Sequence, residues 1–329
     1  MNTKAYVLNL LETNRGQSVS GAQIANQLGL SRNAVWKAIK ELEKDGHQIT
    51  AVTNKGYKLD KESDILSIQG ITPHLQNKEL AKGIILHDSI DSTNRQAKEL
   101  AIAGAAHGST IIASTQTLGK GRFGRDFFSP PNSGIYMSLI LDPQQLKFEA
   151  PTMIIALTAL AVCTAIENVS NKKPSIKWAN DVFIEGKKVC GISTEAAMDF
   201  ETGQTQWIVV GIGINVHAPK SGVPKNLQEV IGFVFDRNDT PAARNQIAAD
   251  LINKITDPPK ELTAQEVLRQ YRDRLFMLGK KVSVSAANES YEATALDIDD
   301  KGQLIVKKED GKTVTLFSGE VSVKPHMNT

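Results

Sequence analysis

The sequence predicts a multidomain α+β protein: a small helical unit with a hairpin, then a mixed sheet, then a small β-barrel. Three observations carry this. Two short helical repeats and a hairpin pattern fill residues 1–60, strand and helix signals alternate from Ile84 onward, and short strands with Asp and Gly turns close the chain. At 329 residues the chain suits two or three domains. Hydrophobic residues make up 41% and charged residues 22%, as in soluble globular proteins. Lys+Arg number 38 against 36 Asp+Glu, so overall charge points to no partner.

Cysteine is sparse. Cys163 and Cys190 stand far apart without a C-x-x-C pair, which fits a reducing cytoplasm. "MNTKAYVLNLLE" is not a secretory signal, because Asn9 and Glu12 interrupt its apolar run. The longest apolar stretch, Met153 to Ile166, is too short for a bilayer and predicts a buried helix. No membrane partner is expected.

Residues 1–60 hold eight Lys/Arg against five Asp/Glu, a local excess. Ile24 and Leu28 repeat at helical spacing, Gly29 breaks the helix, and Ser31 offers a cap to the next. In that second helix Val35, Ile39 and Leu42 form an apolar stripe, while Asn33, Trp36, Lys37 and Lys40 lie opposite. "HQITAVTNKGYKL" reads as strand, turn at Asn54-Lys55-Gly56, strand. Together these describe a winged helix-turn-helix over residues 1–62. Arg32, Lys37, Lys40 and Lys55 suit phosphates, and Asn33 and Trp36 suit base edges. The bland alternative is a small helical domain with a solvated face, but turn, cap and wing agree with one another. So small a reader implies a dimer on a palindromic operator DNA.

Residues 63–83 mix charges with Gly and Pro and read as a linker with one short helix at most. A strand then leads to a helix capped by Asp91 or Ser92, and "STIIASTQT" is the next strand. It runs into "TLGKGRFGRD", a G-x-G-x-x-G loop carrying Lys120, Arg122 and Arg125. A dinucleotide fold needs a helix starting inside those glycines, and Pro130, Pro131 and Gly134 forbid one. A Walker A loop ends in G-K-[ST], but Gly121 follows Lys120. What remains is a mobile backbone able to fold over an anion. "SIKWANDVFIEGKKVCGIS" reads as one hairpin turning at Glu185-Gly186, with Lys177, Asp181, Lys187 and Lys188 near strand ends. "WIVVGIGINVH" reads as a buried strand ending at Asn215.

In order, the winged helix, "DSTN" at 91–94, Q-x-x-G-K-G-R-x-G-R at 116–125, "KWAND" at 177–181, "KKVCGI" at 187–192, "GIGIN" at 211–215 and the C-terminal strands resemble the bifunctional biotin protein ligases that also repress the biotin operon. The resemblance implies a ligase domain over 84–276 and an SH3-like β-barrel over 277–329. It implies two substrates, biotin and ATP with Mg2+, and formation of biotinyl-AMP. It also implies transfer to a lysine of a biotin carboxyl carrier domain, and a homodimer.

By the same resemblance Ser92, Thr93 and Asn94 hold the biotin ureido ring or the nearby nucleotide, and Gln116 hydrogen-bonds biotin. Lys120, Gly121 and Arg122 wrap carboxylate and phosphate, with Arg125 supporting. Lys188 bridges the carboxylate and the α-phosphate, Gly191 lets backbone approach biotin, and Asn215 lies near the adenylate. Asn180 and Asp181 are implied at the nucleotide or, for Asp181, Mg2+. Glu320 and Lys324 are implied at the nucleotide or the acceptor. Two residues depart from the family pattern: Lys120 replaces an Arg, and Phe127 replaces a Trp over the adenine. The rival readings are a lipoate or octanoate ligase and a biotin-sensing repressor without catalysis.

Overall fold

The computed structural model describes residues 3–148, 150–199, 201–236, 242–286 and 289–323. The first unit contains α1 (Thr3–Thr13), β1 (Ser18–Val19), α2 (Gly21–Leu28), α3 (Arg32–Lys44), β2 (Ile49–Val52) and β3 (Gly56–Leu59). The local signals act as the sequence predicts. Ser20 and Ser31 cap α2 and α3 by accepting from the amides of Gln23 and Ala34, and Gly29 ends α2 at φ 64°. β2 and β3 form the wing, and β1 pairs with β3 to make a three-stranded sheet. At Gly56 (φ 101°) a Cβ would lie 2.2 Å from the Val19 carbonyl oxygen, so only glycine lets the wing pack on β1.

Residues 63–83 are a connection, but one docked on the central domain rather than a free linker. They contain α4 (Ile68–Ile71) and two 3-10 turns, and Leu66, Ile71 and Leu75 are buried in the main core. Asn245 accepts from the Ser67 amide and donates to the Ile65 carbonyl, and Asn253 does the same for Gln76 and His74. Asp64 accepts from the side chain of Arg244, which is only 2% exposed. Burial pushes the Asp64 carboxyl up, but His217 and the Arg244 charge outweigh it and hold the group below its ordinary value.

The central domain adds β4 (Ile84–His87), α5 (Thr93–Ile102), β5 (Thr110–Ala113), β6 (Gly134–Leu141) and α6 (Pro151–Val169). It continues with β7 (Ser175–Lys177), β8 (Asp181–Ile184), β9 (Lys187–Met198), β10 (Thr205–Asn215), α7 (Arg244–Thr256) and α8 (Ala264–Arg274). Its mixed sheet has the order β4-β5-β6-β10-β9-β8-β7, with only β4 and β5 parallel. "SIKWANDVFIEGKKVCGIS" makes three strands rather than one hairpin, because the chain also turns at Trp178–Asn180. α6 has the length and apolarity to cross a bilayer, yet two-thirds of it is buried against the sheet, α7 and α8.

The last unit holds β11 (Lys281–Ala286), β12 (Glu289–Ile298), β13 (Leu304–Lys308), β14 (Thr313–Leu316) and β15 (Glu320–Val323). They form an antiparallel sheet in the order β14-β13-β12-β11-β15, and no ladder joins β14 to β15 among the described residues. The described strands of this unit thus form one antiparallel sheet.

His47 follows α3, is 6% exposed, and its Nδ1 finds no partner. Burial, reinforced by Arg15 and Lys4 against Asp45, pushes its imidazole down to about 4. The folded state therefore holds it neutral while the unfolded chain protonates it near its ordinary value. Its contribution is complete above pH 6.5 and is lost as pH falls toward 4. Across that window we expect a loss of about 2 kcal/mol, and His47→Leu should remove that part of the pH dependence. Urea unfolding of both full chains at pH 7 and pH 4.5 checks this, and equal pH dependence would rule it out.

Candidate active site

The cleft lies where α5, the glycine loop and the middle of the sheet meet. Its floor is nearly bare backbone. A Cβ at Gly211 would sit 2.2 Å from Asn94 Oδ1, and one at Gly213 would sit 2.4 Å from the Phe127 ring. At Gly191 a Cβ would come within 3.3 Å of both Lys188 Cε and Phe127 Cε2. These glycines are selected for close approach, since none has a positive φ. Gly119 follows the same logic. Its virtual Cβ meets Ser129 Oγ at 2.7 Å and the Phe127 carbonyl at 2.8 Å. The need for φ freedom falls instead on Phe123 (φ 57°) and Gly124 (φ 73°).

One end of the cleft is lined mainly by neutral polar groups. Ser92 caps α5, its hydroxyl accepting from the Arg95 amide. Gln116 Oε1 accepts from the Thr93 amide (2.8 Å) and hydroxyl (3.1 Å), and Gln116 Nε2 donates to Ser129 Oγ. Asn94 Nδ2 donates to Ser193 Oγ (3.0 Å) and Glu195 Oε1 (3.3 Å). The Ser138 hydroxyl lies 2.6 Å from Asn94 Oδ1. Ser138, Ser193 and Glu195 were not legible as site residues. Ser138 did leave a signal: it is the one serine in the otherwise largely apolar run Gly134–Leu141, and it is fully buried.

The other end is cationic, and each cation already holds a side-chain oxygen. Lys188 Nζ is 2.7 Å from Asp181, and Arg122 donates to Asn180 Oδ1 at 2.7 Å. Lys120 pairs with Asp126 at 2.5 Å. Arg125 holds both oxygens of Glu320, at 2.6 and 2.5 Å. The Arg125 hydrogen bonds keep the Glu320 carboxyl below its usual value. The loop is ordered by its own backbone, with the Gly121 amide donating to Arg125 and the Phe127 amide to Gly119.

Two voids meet here. The first is lined by Ser92, Thr93, Asn94, Gln116, Lys120 and the sheet glycines. The second runs toward Arg125, Asp181 and Glu320. Gly121, Arg122, Phe127, Asn180 and Lys188 line both. Asn215 lies outside both linings. It is buried at the end of β10, its amide 3.5 Å from the Lys188 carbonyl. Asp181 lines the second void with Asp126 and Glu320 and is already engaged by Lys188 and Asn180. Lys324 lies outside the described residues. Arg32, Asn33, Trp36, Lys37, Lys40 and Lys55 are all exposed on the N-terminal unit, Trp36 by 48%, and Lys40 is paired with Glu43 at 2.6 Å.

The floor gives a direct test. Gly211→Ala forces Asn94 away from the sheet, and we expect it to destabilise the protein by about 1–3 kcal/mol and to weaken ligand binding in the first void. Calorimetric titration with biotin checks this, and unchanged affinity would show that Asn94 is not held by the floor.

Residues 86–215 match the biotin/lipoate A/B protein ligase family, residues 3–58 an HTH domain, and residues 277–324 the biotin protein ligase C terminal domain. The bifunctional ligase/repressor BirA of Bacillus subtilis is 32% identical over 308 residues, covering 89% of this chain and 90% of that protein. BirA of Escherichia coli is 28% identical, covering 94% of each. A biotin protein ligase from Aquifex aeolicus, solved in complex with biotin and ATP, shares the fold at TM-score 0.59 and 24% identity. That match covers 73% of this chain and 98% of that one. A glycine-floored cleft, its cation-bearing loop, a helix-turn-helix before it and a matching sheet after it thus agree with a relative aligned over nearly its whole length: the chain belongs to the family of bifunctional biotin ligase/repressors.

Proposed function

We propose that this ligase and repressor joins its two substrates at the wall shared by the two voids. The observation that carries this is that Arg122 and Lys188 line both. Biotin occupies the first void, with its ureido ring toward Ser92, Thr93, Asn94 and Gln116. Gln116 has its carbonyl oxygen committed to Thr93, which leaves one amide N–H for the ligand. The nucleotide occupies the second void. A biotin carboxylate oxygen attacks the α-phosphorus of ATP, and pyrophosphate leaves. The carrier lysine amine then attacks the acyl carbon, and AMP leaves. No protein nucleophile is required. Lys188 and Arg122 exchange Asp181 and Asn180 for the reacting oxygens and stabilise the charge that develops there. Lys120 and Arg125 make the same exchange at the loop, and Phe127 lies between the two ligands.

Mg2+ travels with ATP. Among the described residues no group of three or more His, Cys, Asp or Glu is placed for a metal. The residues present fit an ion held mainly by phosphates, with Asp181 as its protein ligand, and when bound it adds positive charge to them.

The N-terminal unit reads operator DNA through Arg32, Lys37, Lys40 and Lys55 on phosphates, and Asn33 and Trp36 at bases. We assign the homodimer, or alternatively the carrier domain, to the edge of β9. β8 covers β9 only as far as Gly191, so among the described residues Ser193–Met198 are paired on the β10 side alone. The five C-terminal strands suit an SH3-like barrel, and the whole chain suits the cytoplasm.

Lys188→Ala should cut pyrophosphate release with biotin and ATP on the order of 10²-fold without unfolding. Wild-type release in that variant removes Lys188 from the reaction, and release with lipoate in place of biotin would change the substrate. Lys37→Ala should lower the salt slope of operator binding by about one unit. Gel-shift titrations at several salt concentrations measure it, and an unchanged slope places the DNA surface elsewhere.

A further inference from the structure

The side chain of Arg244, at the start of α7, is buried, and its carboxylate partner comes from the other end of the domain. Asp64 accepts from Arg244 Nε at 3.0 Å and from the Arg244 amide at 3.0 Å, across 180 residues of sequence. The same carboxylate lies 2.8 Å from His217 Nε2. His217 stands just beyond β10, its ring stacked on Phe235 at 5.4 Å. Its backbone amide donates to the Ser133 carbonyl at 2.7 Å, and the Val216 amide donates to the same oxygen at 3.0 Å. Ser133 Oγ in turn donates to the Pro130 carbonyl, as does the Tyr136 hydroxyl. The Tyr136 ring meets Phe127 edge-on at 6.4 Å. A contiguous chain of contacts therefore runs from Asp64 to the end of the glycine strand and to the base of the loop.

We propose that Asp64 is a positioning residue of the ligase site. Through His217 it fixes the exit of β10 and the Pro130–Ser133 segment, and with them Phe127 and the glycine floor. The segment that joins the winged unit to the central domain is then part of the ligase machinery. A carboxylate suits this place because it meets a buried guanidinium at Nε and an imidazole at Nε2 at once. Loss of the anchor loosens the ligand site in ground and transition state alike, so it acts on KM more than on kcat.

The inference rests on the ligase reading above, and the test separates the two. In the full chain, pyrophosphate release is measured as a function of biotin for the unaltered protein, Asp64→Asn, His217→Phe and Asn253→Ala, with thermal midpoints alongside. His217→Phe keeps the ring on Phe235 and leaves the Asp64–Arg244 pair intact, so it carries the test if Asp64→Asn does not fold. Asn253→Ala removes a different anchor of the same segment, far along α7. We expect Asp64→Asn and His217→Phe to raise the KM for biotin about tenfold, the equivalent of one charged hydrogen bond, with kcat within about twofold. Asn253→Ala should lower the thermal midpoint and leave KM within about twofold. An unchanged KM in His217→Phe, or an equal rise in Asn253→Ala, overturns the proposal while the ligase reading stands. No pyrophosphate from the unaltered chain overturns both.

Discussion

The site depends on side chains that are absent. Gly211 and Gly213 on β10 and Gly191 on β9 leave a strip of bare backbone in the middle of the sheet, and Asn94, Phe127 and Lys188 lie down on it. Were any of the three an alanine, a methyl group would occupy space those groups now fill. The strip explains why β10 is the central strand, held in register by β6 on one side and β9 on the other. The opposite face of β10 carries Ile208, Val210, Ile212 and Ile214 into the main core, so the strand is held by packing on that face as well as by its neighbours' ladders.

Over that floor the protein has arranged charge in two layers. Cations face the junction of the voids, and each is matched by a side-chain oxygen of Asp181, Asn180, Asp126 or Glu320. The pairing lets four positive side chains stand close together without mutual repulsion dominating.

Much of this was legible, and the divide follows the range of the interactions. Caps, turns and strand runs are local, so Ser31, Gly29, the wing turn at Asn54–Gly56 and the strand ending at Asn215 could be read directly. The motifs resembling a known family named most of the residues around the voids. Three things were hidden. The turn at Trp178–Asn180 carries no glycine, so β7 merged with β8 in the sequence pattern. The Glu320 carboxylate that holds Arg125 comes from a distant segment. The segment 63–83 has a loop-like composition, yet its backbone groups are satisfied by Asn245 and Asn253 on α7, far along the chain. Composition reports propensity, and it does not report a partner 180 residues away.

That separation bears on how the molecule comes into being. The N-terminal unit has its own core of Val7, Leu11, Ile24, Val35, Ile39, Leu42 and Leu59, all close in sequence, and can close early during synthesis. Asp64, by contrast, emerges long before Arg244, and until α7 has been made the segment after the wing has no guanidinium to meet. A nascent chain halted before α7 therefore exposes Leu66, Ile71 and Leu75 beside an already folded DNA-binding unit. The early segment is thus held by a late helix, through Asp64 on Arg244 and the side chains of Asn245 and Asn253.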